Sequence, residues 1–144
     1  MTKKLLAALP LIALLDGLAC APALADDVSD GVAAMPAGVE EVYFEGSWAA
    51  EDKGGTYRVV VARSTVKPIT ARIFVQWIAL DTSGASVAQT VEVKEFADLK
   101  ADAASVLADG DVDGLAVHIE TAAGESFELF ASAPGEYRFG RASN

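Results

Sequence analysis

The stretch ARIFVQWIAL, residues 71–80, is the longest dense apolar run outside the extreme N-terminus. The odd positions of this stretch are all apolar: Ile73, Val75, Trp77 and Ala79. The even positions mix polar with apolar side chains: Arg72, Phe74, Gln76, Ile78 and Leu80. Because successive side chains point to opposite faces of a strand, the pattern predicts a central strand. One face of that strand is expected in the core, and the other is expected to be partly covered.

Shorter segments that alternate apolar and polar residues predict further strands around this central one. They are residues 39–49, 56–63, 87–96, 115–121, 126–131 and 136–140. Most connections between them are short enough for hairpins. The order predicts an all-β domain with a single antiparallel meander of about seven strands, folded as a sandwich or as a small up-and-down barrel.

A change of period between residues 98 and 108 predicts one short helix between strands four and five. Apolar residues recur there at the spacing of a helical stripe: Leu99, Ala103, Val106 and Leu107. Asp98 stands where an N-cap residue is expected. Such a helix would cover the mixed face of the central strand, over Phe74, Ile78 and Leu80.

The first 25 residues predict a signal peptide. Lys3 and Lys4 form a basic start, and residues 5–15 form an apolar core too short to span a membrane. Ala25 ends a small-x-small cleavage site, so the chain is expected in the periplasm or outside the cell. A flexible tether is expected at residues 26–38 and the β domain at 39–144. In a second interpretation, Leu18-Ala19-Cys20 is similar to the end of a bacterial lipoprotein signal, and lipidated Cys20 anchors the chain in the outer membrane.

The composition of residues 26–144 limits the partners. They carry 9 basic and 20 acidic side chains, a net charge of −11. Such a surface repels nucleic acid and anionic lipid, and it is compatible with cationic partners, divalent ions or simple solubility. Cleavage after Ala25 leaves no cysteine, so a disulfide is excluded despite an oxidising compartment.

Residues 109–114, DGDVDG, together with a later glutamate fit the sequence form of a calcium-binding EF-hand loop. The candidate Ca²⁺ ligands are Asp109, Asp111, Asp113 and Glu120. Residues 115–121, however, alternate like a strand rather than an exiting helix. An extended chain would carry Glu120 roughly 20 Å away from Gly114, outside the same site. The two interpretations are a Ca²⁺ site and an acidic Asp-Gly turn.

The sequence contains little that predicts an enzyme. His118 and Glu120 share one face of a strand and form a general acid–base pair of the hydrolase type if that face lies in a cleft. The same face of a short strand is more typical of a solvent-exposed surface. The chain lacks G-x-S-x-G, a phosphate-binding glycine loop and a paired-histidine metal motif. We therefore predict a non-catalytic protein without a cofactor, Ca²⁺ aside.

The mixed face of the central strand is the third candidate site. Polar groups among large apolar ones are typical of a ligand pocket wall or a protein-contact patch. The candidate residues are Arg72, Phe74, Gln76 and Ile78. The alternative is a face half covered by the predicted helix. Trp48 and Trp77 are expected in the core, since both lie on the apolar sides of their strands. The leading interpretation is an exported β-domain that binds a protein or a small ligand.

One set of motifs resembles a known family. Gly46-Ser47-Trp48 on the first strand, with Arg138 and Arg141 near the end of the meander, resembles the lipocalin-like pattern. Residues 113–130, DGLAVHIETAAGESFELF, are similar to the ending of small periplasmic metalloprotease inhibitors with lipocalin-like barrels. The resemblance implies a barrel, an arginine near the G-x-W tryptophan and an inhibitory role. The cysteine pair of those inhibitors has no counterpart in residues 26–144.

Overall fold

The computed structural model describes residues 27–110 and 114–143, which form eight strands and two short helices. The helices are α1 (Asp27–Ala33) and α2 (Lys94–Asp98). The strands are β1 (Val39–Ala50), β2 (Lys53–Arg63), β3 (Ala71–Asp81), β4 (Gly84–Glu92), β5 (Ala103–Asp109), β6 (Leu115–Thr121), β7 (Ser126–Ala131) and β8 (Tyr137–Arg141). The helix α1 lies where a tether was expected, and it belongs to a separate N-terminal unit that ends at Ala34.

The strands form two antiparallel sheets in which each strand pairs with its neighbour in sequence. Sheet A has the order β1-β2-β3-β4 and sheet B the order β5-β6-β7-β8, with α2 in the connection between them. The all-β meander with a short helix after the fourth strand is therefore confirmed, with eight strands instead of seven. No pairing between the described strands closes the two sheets into a barrel.

The two sheets share one hydrophobic core, as expected for a sandwich. Ile73, Val75 and Trp77 of β3 are fully buried, which confirms the predicted inner face of the central strand. Sheet B contributes apolar side chains from β6 and β7 to the same cluster: Leu115, Val117, Ile119, Phe127, Leu129 and Ala131. Each buried aliphatic or aromatic side chain contributes about 1.5–3 kcal/mol relative to exposure. The core thus favours sheet A docked on sheet B.

Polar contacts also tie the sheets together. The Tyr57 hydroxyl and Trp77 Nε1 both donate to the carbonyl oxygen of Ser132, at 2.7 and 2.8 Å. Elsewhere Arg63 Nε donates to Asp102 Oδ1 at 2.8 Å, and the same guanidinium contacts Glu40 and the carbonyl of Ala103. A buried polar group without a hydrogen-bond partner costs free energy, so these hydrogen bonds fix the packing of β2 and β3 against the part of the chain that forms sheet B.

The helix predicted at residues 98–108 is wrong. Asp98 ends α2 instead of starting a helix, and residues 103–109 form β5. The pairing of β5 with β6 shifts register between Ala103 and Ser105, as at a β-bulge. Because of the extra residue, Ala103 and Val106 both point into the core although they are three positions apart. The bulge thus accounts for the helix-like spacing of Ala103 and Val106, whereas Leu99 and Leu107, the other residues of the predicted stripe, are exposed.

A second bulge changes which side chains of β1 face the core. Uninterrupted alternation over residues 39–49 would place Val42, Phe44, Gly46 and Trp48 on one side, but Val42 and Phe44 are exposed while Trp48 is buried. The register shifts between Glu45 and Ser47, and Gly46 has φ of 62°. A Cβ atom on Gly46 would overlap the carbonyl oxygen of Gly114. This close approach of β1 to the β5–β6 connection requires glycine.

The predicted strand 87–96 is also too long at its end. The strand β4 ends at Glu92, and Lys94–Phe96 belong to α2. Phe96 is fully buried, with its ring edge-on to Phe127 and Phe139 at centroid distances of 6.3 and 6.2 Å. A helical turn directs this ring into sheet B, which an edge strand at this point would not do.

Candidate functional site

The outer face of sheet A carries a row of side chains that crosses all four strands. Residues in register across it are Phe44, Arg58, Gln76 and Thr90. Arg58 Nε donates to Gln76 Oε1 at 2.6 Å, and Gln76 Nε2 donates to Thr90 Oγ1 at 3.1 Å. The Arg58 guanidinium carbon lies 5.7 Å from the centre of the Phe44 ring. These contacts hold a half-buried guanidinium in one orientation on the sheet surface.

The neighbouring row contains an arginine that already has a counter-charge. Arg72 donates to both carboxylate oxygens of Glu92, from Nε at 2.6 Å and Nη2 at 2.7 Å. Its guanidinium carbon lies 5.2 Å from the centre of the Phe74 ring. The hydrogen bond from Arg72 holds the pKa of Glu92 below its ordinary value, and Glu92 in turn raises the pKa of Arg72. This pair is internally neutral.

Three of the four predicted binding residues, Arg72, Phe74 and Gln76, lie together on this open face. Ile78 belongs to the same face but is only 5% exposed, between its paired neighbours on β2 and β4. The predicted helical cover is wrong, because residues 103–108 lie in β5 of sheet B. Large apolar side chains therefore remain exposed on sheet A, by 38% to 56% of their area: Val42, Phe44, Leu80 and Val87.

Phe44 and Arg58 complete this surface, and neither was among the binding residues predicted from the sequence. Uninterrupted alternation puts Phe44 on the same side of its strand as Trp48, and only the bulge at Gly46 separates the two. Arg58 lies opposite both Phe44 and Gln76 only in the observed register of β1, β2 and β3. The sequence signal that was present is Gly46 itself, an unusual residue inside an alternating strand.

The candidate Ca²⁺ ligands do not all fall in the described chain. Asp109 ends β5, while Asp111 and Asp113 lie outside the described residues. Residues 103–109 and 115–121 are strands, so the helix–loop–helix frame of an EF-hand is absent around the loop. Glu120 lies four residues along β6 from Ala116, the partner of Asp109, which is about 13 Å at 3.3 Å per residue.

The glycines of the acidic loop have a packing role. A Cβ atom on Gly110 would overlap the backbone of Gly46, and one on Gly114 would lie 2.5 Å from the carbonyl oxygen of Ala131. Within residues 27–110 and 114–143, no three His, Cys, Asp or Glu side chains are grouped to hold a metal ion. The Ca²⁺ site at Asp109, Asp111 and Asp113 stays a prediction.

His118 and Glu120 share the outer face of sheet B, and both are exposed. The nearer acidic partner of His118 is Glu128 on β7, with Nδ1 and Oε1 3.6 Å apart. The His118 side chain is 55% exposed. A general acid–base pair acts most effectively where water is excluded, and this open face does not provide that setting.

The residues of the family resemblance lie in two places. Trp48 is buried, and its Nε1 donates to the carbonyl of Thr56 at 3.1 Å. Arg138 and Arg141 lie over Phe130 and Phe127 of sheet B, at 5.6 and 5.7 Å. Cys20 and Ala25, the predicted lipidation and cleavage residues, lie outside the described residues.

Comparison with known proteins does not add a family. No family model, curated protein or solved structure matches the chain. None of the helices in the described part of the chain is long and apolar enough to cross a membrane. Among the described residues, the outer face of sheet A combines exposed apolar side chains with a fixed arginine and is the candidate site.

Proposed function

We propose that the protein is an exported, non-catalytic binding module whose contact surface is the outer face of sheet A. The main observation in support is that this face exposes large apolar side chains around Arg58, whose guanidinium is held in one orientation. Exposed apolar patches with aromatic residues and arginine at their centre are typical of protein contacts.

The shape of the face favours a protein partner over a small ligand. Small-molecule sites are concave and bury most of the ligand surface. The row from Phe44 to Thr90 instead runs across four hydrogen-bonded strands, about 14 Å at 4.8 Å between neighbours. A second protein surface covers such an area, whereas a small molecule on it would remain largely in water.

The export part of the proposal is supported by the N-terminal sequence. Lys3 and Lys4, the apolar residues 5–15 and the small-x-small site ending at Ala25 form the three parts of a signal peptide. Mass spectrometry of the chain recovered outside the cytoplasm tests this directly. A chain starting at Asp26 is expected, a lipid-modified chain starting at Cys20 would support the anchored alternative, and an intact N-terminus would contradict export.

The binding part is tested by photo-crosslinking in the producing cell. A benzoylphenylalanine at Phe44 probes the outer face of sheet A, and one at Leu107 is the control. Both side chains are large, apolar and exposed, by 56% and 64%, but Leu107 lies on sheet B. We expect an adduct with another protein at position 44 and little or none at position 107.

A disrupting variant combines Phe74→Asp with the crosslinker at position 44. It should remove the adduct, because it places a carboxylate in the apolar patch, and an unfolding midpoint measured in parallel shows whether the fold is retained. An adduct with the mass of two chains would show that the chain associates with a second copy of itself through this face, and that the partner is not a different protein. Equal adducts at positions 44 and 107, or none, would contradict the proposal.

A further inference from the structure

Arg58 differs from three of the four other arginines in the described chain, because it has no carboxylate partner. Ion pairs of 4.0 Å or less join Arg63, Arg72 and Arg141 to carboxylates, and no described residue provides one for Arg58. This is unexpected in a chain whose net charge is −10. Arg58 is nevertheless half-buried and fixed by Gln76 and Phe44.

The way Arg58 is held leaves one edge of its guanidinium unused. Its Nε–H is taken by Gln76, whose orientation is in turn fixed by its bond to Thr90. None of the described hydrogen bonds or ion pairs uses its two Nη groups. A guanidinium presents these groups as a planar fork that matches the two oxygens of a carboxylate.

We infer that Arg58 is the residue at which the partner's carboxylate binds, flanked by an apolar or aromatic group of the same partner. This inference rests on the proposed protein-binding function. A partner that covered the face without supplying a negative charge would bury the guanidinium unpaired, which is costly. A carboxylate on the partner is therefore selected by Arg58, and the exposed Phe44 and Val42 select the adjoining apolar group.

The chain offers a matched control in Arg138. It also lies over a phenylalanine ring, at 5.6 Å from Phe130, and it also lacks an ion pair within the described residues. It differs in being exposed and in having no described hydrogen bond that fixes its guanidinium. If a fixed orientation matters, Arg58 should bind a carboxylate where Arg138 does not.

The test uses two small probes that differ only in the charged group, N-acetylphenylalanine and its amide. Each is titrated into the purified processed chain while arginine Nε–H and glutamine side-chain NMR signals are followed. We expect the carboxylate to cause saturable shifts at Arg58 and Gln76 at millimolar concentration. The amide should cause much smaller shifts there, and Arg138 should respond only weakly and without saturation.

Variants then assign the effect to the guanidinium. Arg58→Met should weaken carboxylate binding roughly 10-fold or more, as expected for loss of a charge-assisted hydrogen bond. Arg58→Lys, which keeps the charge without the fork, should give an intermediate loss, and Arg138→Met should have no effect. Near-UV circular dichroism of each variant verifies the fold.

The results that overturn the inference are distinct from those that overturn the proposed function. Equal shifts from the acid and the amide, or equal responses of Arg58 and Arg138, would exclude a carboxylate site at Arg58. An adduct at position 44, together with no NMR shift from N-acetylphenylalanine at Arg58, would show that the partner is a protein but that it does not bind through a carboxylate. Carboxylate binding at Arg58 without any adduct would instead indicate a small carboxylate ligand.

Discussion

Gly46 decides which side chains of β1 reach the core and which reach the outer face of sheet A. Its positive φ allows the bulge, and the bulge turns Phe44 outward and Trp48 inward. The resemblance-based G-x-W motif thus has a physical reason here: the glycine permits the backbone contact with Gly114, and the tryptophan fills the core beside it.

We predict that Gly46→Ala lowers the free energy of unfolding by about 2 kcal/mol or more. A positive φ costs an alanine roughly 1–2 kcal/mol, and the overlap of its Cβ with the Gly114 carbonyl adds to this cost. Urea denaturation measures the change. Gly140→Ala is the matched control, since a Cβ there meets nothing within 4 Å, and it should change stability by less than about 0.5 kcal/mol. Similar losses in both variants would refute the packing role of Gly46.

At the scale of the element, β3 shows what the sequence can predict and β5 what it cannot. The uniformly apolar odd positions of β3 predict its period, its buried face and its length to within one residue. In β5 and β1 a single extra residue changes the phase of the alternation, and nothing in the local composition of β5 marks that residue. The candidate face could be predicted only in part, because Arg58, Phe44 and Gln76 meet through inter-strand register.

The short helix α2 is tied to β8 by one hydrogen bond with a clear pH dependence. Burial, and then the bond that its hydroxyl donates to Glu95 Oε2 at 2.7 Å, raise the pKa of Tyr137 to about 12. The folded state therefore favours the protonated phenol. Its contribution to stability is complete below pH 10, the ordinary pKa, and is lost as the pH rises from 10 to 12.

We predict that the stability advantage of the wild-type chain over Tyr137→Phe falls between pH 8 and pH 11, by at most about 1.4 kcal/mol and by less to the extent that solvent screens this exposed hydrogen bond. Urea denaturation of both chains at each pH gives this difference. The phenylalanine variant removes the titrating group but retains the ring, so other tyrosines cancel in the comparison. A difference that stays constant over this range would show that the pKa of Tyr137 is not raised in the fold.

At the scale of the whole molecule, a thermal unfolding experiment tests whether the acidic loop, residues 109–114, binds Ca²⁺. We expect the thermal unfolding midpoint in EDTA and in millimolar Ca²⁺ to agree, with Mg²⁺ as the control. The reason is that Glu120 lies outside the loop and that packing already accounts for Gly110 and Gly114. A ligand at 100 times its dissociation constant adds about 2.7 kcal/mol, which is several degrees for this size.

The opposite result has an equally definite meaning. A rise specific to Ca²⁺ and lost in Asp111→Ala would make the loop a cation site without the twelfth-position ligand of an EF-hand.

The pairing of every strand with a sequence neighbour also bears on how the chain folds. Residues 39–92 contain all of sheet A, so its hairpins can close one after another without any residue of sheet B. Pairing between neighbouring strands closes only short loops, so its entropic cost is low and each sheet can form rapidly. The long-range event that remains is then the docking of sheet B onto sheet A, whose chains are connected through α2.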